Sequence, residues 1–175
     1  MKKLSFILLV ALFSLNSFAQ EQEEGITKGD MELSFTGTIT SQVGTDQGYT
    51  MGLIFASYGY YFTKNLLAGI APGVTVIGSG GDSEAFVSLQ LFSAYNFLVD
   101  QKFVPYARAS LYQAMLNPPE GSDFNDFTYF QAGGGFKYFL LPQLAIDTSL
   151  NLGIDFSSNT EGLGILFLTG ITYKF

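Results

Sequence analysis

The chain has 175 residues, with 15 acidic and 8 basic side chains, 47% hydrophobic and 16% aromatic content, no histidine and no cysteine. That length suits one domain. The missing residue types exclude Ser–His catalysis, histidine-ligated metals, disulfides and thiolate chemistry, and a formal charge of −7 argues against nucleic acid as a partner.

Residues 1–19 read as a secretory signal peptide. Lys2 and Lys3 make a basic start, Leu4 to Phe13 an apolar run, and Ser17-Phe18-Ala19 a small-x-small cleavage site before Gln20. The run is short for a membrane-spanning helix of about 20 residues. Without Lys2 and Lys3 the formal charge moves from −7 to −9. Residues 20–29 are polar and acidic and read as a short periplasmic leader without fixed structure. Beyond Gln20 no apolar stretch reaches the roughly 18 residues that a spanning helix needs.

From Asp30 onward apolar residues recur at every second position, the mark of a strand with two unlike faces. The first strand runs from Asp30 to Ser41, with Met31, Leu33, Phe35 and Ile39 on one face and Glu32, Ser34, Thr36 and Thr38 on the other. The second, Tyr49 to Phe62, puts Ile54, Ala56, Tyr58, Tyr60 and Phe62 together. The third, Leu66 to Ile77, contains Pro72, which has no N–H for a ladder and so predicts a bulge or irregular bonding. The fourth covers Glu84 to Leu98. The fifth, Phe103 to Met115, turns Tyr106, Arg108, Ser110 and Tyr112 to one side. The sixth is Phe127 to Leu140, the seventh Leu144 to Phe156, and the eighth ends at Phe175. Turns after even strands are expected to be tight, and loops after odd strands longer. Outer-membrane barrels have this asymmetry between periplasmic and outside ends.

Period two does not separate a membrane barrel from a soluble one; the second face does. In a soluble barrel it would meet water and carry many charges. Here it carries Gly, Ala, Ser, Thr, Asn and Gln, which suit a narrow, crowded lumen, while Leu, Ile, Val, Phe and Tyr suit lipid. Tyr58, Tyr60, Phe62, Tyr95, Phe97, Tyr138, Tyr173 and Phe175 gather near the tight turns, as an interfacial aromatic girdle would. An open sheet is excluded in lipid, where each unpaired backbone group costs several kcal/mol. The fold expected is therefore all-β: an eight-stranded antiparallel up-and-down transmembrane β-barrel over residues 30–175, in a bacterial outer membrane.

The export signal, the eight amphipathic strands, the segment Ala132-Gly133-Gly134-Gly135-Phe136-Lys137-Tyr138-Phe139 followed by Leu144-Ala145-Ile146-Asp147, and the ending Ile171-x-Tyr173-x-Phe175 resemble the eight-stranded outer-membrane β-barrel superfamily of OmpA-, OmpX- and OmpW-like proteins. The resemblance covers nearly the whole mature chain. It implies a fold rather than one activity, since members include anchors, adhesins and small-solute pores. It also implies that Ile171, Tyr173 and Phe175 form a C-terminal signal for the barrel-insertion machinery. Outer-membrane lipid and lipopolysaccharide are the other expected partners, with the chain a monomer.

No enzymatic role is expected: base and nucleophile are missing, and no pair of carboxylates is placed about a cleft. Nor is a cofactor or resident metal. The inward charges are Glu32, Arg108, Lys137, Asp147, Asp155 and Lys174. Pairing Leu140 with Leu144 across Pro142 sets Lys137 opposite Asp147, and antiparallel closure of the last strand on the first brings Lys174 to Glu32. Charges out of water need partners, so an internal ion-pair network with Arg108 as its hub is expected. It reads as a structural plug, or else as a gate for small ions. The outside loops hold Asp46, Asp82, Glu120, Asp123, Asp126 and Glu161 without a Lys or Arg. They read as solvated loops, or else as sites for the divalent cations that bridge lipopolysaccharide, although their spacing lacks a calcium-loop pattern. The functional expectation is a structural or surface-interaction barrel. The alternatives are a narrow pore or conduit for small hydrophobic solutes and, more remotely, a soluble lipid-binding barrel.

Overall fold

The computed structural model describes residues 25–42, 49–79, 82–114, 116, 128–155 and 163–175. Residues 1–24, which include the expected signal peptide and most of the leader, lie outside them. Eight strands follow one another: β1 (Met31–Gln42), β2 (Tyr49–Tyr61), β3 (Leu66–Ser79), β4 (Asp82–Asn96), β5 (Phe103–Gln113), β6 (Thr128–Leu141), β7 (Leu144–Asp155) and β8 (Leu163–Lys174). Each pairs antiparallel with the next, and β8 returns to β1, so the sheet closes into a barrel without free edges.

Alternation sets the facing. On β2, Ile54, Tyr58 and Tyr60 are exposed on the outer wall, while Leu53, Phe55 and Ser57 are buried in the bore. On β7, Ile146, Leu150 and Leu152 point outward and Ala145, Asp147, Ser149 and Asn151 inward. The outer wall is apolar all round, from Ile39 at 80% exposed to Ile165 at 67%. Rings pair along the rim at the tight-turn end: Tyr60 with Phe62 and Tyr95 with Phe97, both at 5.1 Å, and Tyr173 with Phe175 at 6.2 Å.

Two local expectations are corrected, and of the two alternatives expected at Pro72 irregular bonding is the one observed. Pro72 interrupts the β2–β3 ladder without a bulge: pairing stops at Phe55↔Gly73 and resumes in the same register at Tyr58↔Ile70. A missing N–H removes a bond but inserts no residue. The irregular register lies instead between Phe139 and Leu141, beside the β6–β7 turn. Turn lengths also follow the expected asymmetry less strictly. β3 and β4 stay paired out to Ser79↔Asp82, whereas Phe97 to Lys102 separates β4 from β5. Finally, the leader is not free throughout. Residues 25–30 lie across the tight-turn mouth, with Ile26 buried.

Candidate functional site: the lumen

Inward-facing polar side chains meet in the bore near the mouth where β1 begins and β8 ends. Strand pairing puts Lys137 opposite Asp147 and Glu32 opposite Lys174. The bonds, however, cross the lumen. Lys137 on β6 reaches Glu32 on β1, Nζ to Oε2 2.5 Å, with both side chains buried. Tyr61 on β2 donates to Glu32 (2.8 Å) and accepts from Lys137 (3.1 Å). Tyr106 on β5 donates to Asp147 (2.7 Å). The Lys137 ammonium also lies 5.6 Å from the Tyr61 ring centroid and 5.5 Å from that of Tyr106. Glu32, Lys137 and Tyr61 are thus bonded directly, and the Tyr106–Asp147 pair joins them through the hydroxyls of Ser34 (3.4 Å from Glu32) and Thr172 (2.7 Å from Ser34 and 3.4 Å from Asp147), the kind of arrangement that makes buried charge tolerable. Gly135 leaves the space for the Tyr106 ring, since a side chain there would run into that ring and into Ser149.

Arg108 is not the hub of this cluster. Its guanidinium donates to Gln90 Oε1 (2.6 Å) and stacks 4.1 Å above the Phe92 ring. It stands one layer higher, opposite Ala94 and Gly133, bonded to an amide and facing the Glu32 and Asp147 carboxylates only across a small cavity. Gln90 extends this layer to Ser110 and Gln131, at 2.9 Å each. Lys174 turns away from Glu32 to Asp30 (3.5 Å) and to the Gly25 carbonyl (2.9 Å). Asp155 ends β7 at the opposite mouth, far along the strand from Asp147.

Above the amide layer the bore becomes apolar and aromatic. Phe55 meets Tyr112 edge-on at 5.6 Å, Tyr112 bonds Thr75 (2.9 Å), and Leu53, Leu166 and Leu168 are buried around them. Between the two layers, Glu32, Ser57, Phe92, Arg108 and Asp147 border a cavity of about 10 Å³. A single water needs about that much.

The model of the outer membrane protein beta-barrel domain matches residues 5–175. The chain belongs to this family. Among solved structures, the barrel is similar to the N-terminal beta-barrel domain of Pseudomonas aeruginosa OprF, at 19% identity and TM-score 0.60, covering 85% of this chain and 98% of that one. That likeness concerns the fold. A second match is a de novo designed transmembrane beta-barrel, at 18% identity and TM-score 0.47, covering 89% of this chain and all of the design. No curated protein matches the chain significantly.

The other expected site residues of this outer membrane protein barrel divide simply. Ile171, Tyr173 and Phe175 are all exposed on the outer wall of the β8 end. Asp46, Glu120, Asp123, Asp126 and Glu161 lie outside the described residues. Asp82 is not in a loop; it opens β4, opposite Ser79. Sequence reasoning missed Tyr61, whose inward side follows from its position between outward Tyr60 and Phe62, and Ile26, the one apolar side chain among polar neighbours.

Proposed function

We propose that the protein resides in the bacterial outer membrane as a monomeric, non-catalytic barrel with a structural or surface-interaction role, its lumen plugged by its own side chains. One observation carries the reading: the charges are inside and the oils outside. Glu32, Lys137 and Asp147 are at most 5% exposed while isoleucines and phenylalanines cover the wall. Such a surface needs acyl chains around it, since soluble proteins do not leave so much contiguous apolar area open. A soluble lipid-binding barrel would need the opposite facing.

The exterior then contacts outer-membrane lipid and lipopolysaccharide, and Ile171, Tyr173 and Phe175 serve as the insertion signal. The plugged bore is favoured over a pore because residual space near the charged cluster is about that of one water. Interiors of eight-stranded barrels are normally filled by side chains. Envelope fractionation with heat-modifiable gel migration tests the address, and recovery in the soluble periplasmic fraction would refute it. Planar-bilayer recording tests the plug: silent membranes are expected, and stable open channels would overturn it in favour of a conduit.

A further inference from the structure

Residues Gly25–Asp30 cross the mouth of the barrel at the end where β1 begins and β8 finishes, and they touch three separate parts of the wall. The Ile26 amide donates to the Val99 carbonyl in the β4–β5 turn (3.1 Å), on the far side of the barrel from β1. Gly29 donates to the Tyr61 carbonyl of β2 (2.9 Å), and Tyr61 returns a bond to the Asp30 carbonyl (2.9 Å). Lys174, on the last strand, bonds the Gly25 carbonyl (2.9 Å) and pairs with the Asp30 carboxylate (3.5 Å). The segment braces itself as well. Asp30 Oδ2 accepts from the Thr27 amide (2.9 Å), Oδ1 accepts from the Thr27 hydroxyl (2.7 Å), and Gly29 takes a positive φ of 98°.

The opposite wall meets it. Leu98, at φ 49°, is in the left-handed region that a leucine seldom occupies. There the turn puts Leu98 outside and Val99 inside, where Val99 and Ile26 are both buried. Gly25 fits closely against this turn: a Cβ would lie 3.2 Å from the Val99 carbonyl oxygen and 3.3 Å from the Asp100 Cα.

The β1–β8 seam is the short one. Its ladder runs only from Glu32↔Lys174 to Gly37↔Thr169, whereas β1 pairs with β2 along its whole length, from Met31↔Tyr60 to Gln42↔Tyr49. Every paired residue of this seam lies toward the mouth that Gly25–Asp30 crosses.

We propose that Gly25–Asp30 is a strap that closes this mouth and locks the β1–β8 seam, with Lys174 as its latch and Ile26 as its stopper. Releasing the latch frees the strap from β8, lets Ile26 leave Val99, and opens the lumen from that side. The proposal goes beyond the plugged-barrel reading; that reading serves only to name the mouth periplasmic.

The test is thiol labelling in detergent, so it does not depend on the membrane address. The chain has no cysteine of its own. Ala145→Cys puts a single thiol on a buried, inward-facing position near this mouth. A small charged methanethiosulfonate should leave it unlabelled in the otherwise native exported protein. Labelling should be at least tenfold faster once Lys174→Met and Ile26→Ser release the strap, while gel migration still reports a closed barrel. Equal labelling with and without the strap changes overturns the proposal. Should those variants fail to fold, hydrogen exchange on the unaltered exported protein decides. The Ile26 and Gly29 amides must be protected as strongly as strand amides, and exchange at free-chain rates overturns the strap.

Discussion

The lower and upper halves of the bore are filled by different physics. The half nearest the start of β1 and the end of β8 is closed by charge: Glu32 and Lys137, which share the Tyr61 hydroxyl, and Asp147, held by Tyr106 and linked to Glu32 through Thr172 and Ser34. The other half is closed by ring packing and leucines, with Phe55 against Tyr112 and Leu53, Leu166 and Leu168 nearby. Between them lies the neutral amide layer of Gln90, Ser110 and Gln131, capped by Arg108. Both fillings exclude solvent, yet they respond differently to damage. A buried charge cluster is all-or-nothing, because each member is tolerable only while the others stay. An apolar cluster degrades in proportion to the volume removed.

The largest expected effect breaks the lower half. Lys137→Met removes the only cation bonded to Glu32 in the cluster and leaves Glu32 and Asp147 buried together. Urea unfolding followed by gel migration should lose about 3–5 kcal/mol. Adding Glu32→Gln should restore part of that loss, because the uncompensated charge goes with it. A double variant as weak as the two losses summed would contradict the coupling. Next is Phe55→Ala in the upper half, expected to cost about 3 kcal/mol by opening a cavity beside Tyr112, with no recovery from changing a neighbouring charge. The smallest effect sharpens the contrast by leaving the bore. Lys64 and Asp100 pair at 3.7 Å on the rim with side chains 60% and 74% exposed, and Lys64→Ala should leave unfolding unchanged within error.

Much of this barrel can be read from the chain because facing in a strand is a local property. The alternation of Leu144 to Phe156 alone assigns Asp147, Ser149 and Asn151 to the bore. Lys137 does stand opposite Asp147, as expected, but not by the expected Leu140–Leu144 pair: Leu141 pairs with Leu144, and the irregularity between Phe139 and Leu141 restores the register. Arg108 defeats the same logic. Its inward side is local, but its height in the bore relative to the carboxylates depends on the stagger of the strands that separate β5 from β1 and from β7, and that stagger leaves it bonded to Gln90 and stacked on Phe92. The leader defeats it for another reason. One isoleucine among polar residues has no period, and only a wall with Val99 in the right place gives Ile26 somewhere to be buried.

The sequence by itself determined the class, the strand count and the two faces, because these depend on backbone geometry within one strand. Only the closed tertiary structure decided that Lys137 bonds Glu32, that Tyr61 joins them, and that Lys174 leaves its ladder partner for the strap. Those contacts span the lumen, and the distance across it is set by how all eight strands tilt and close, a property that no segment of the chain contains.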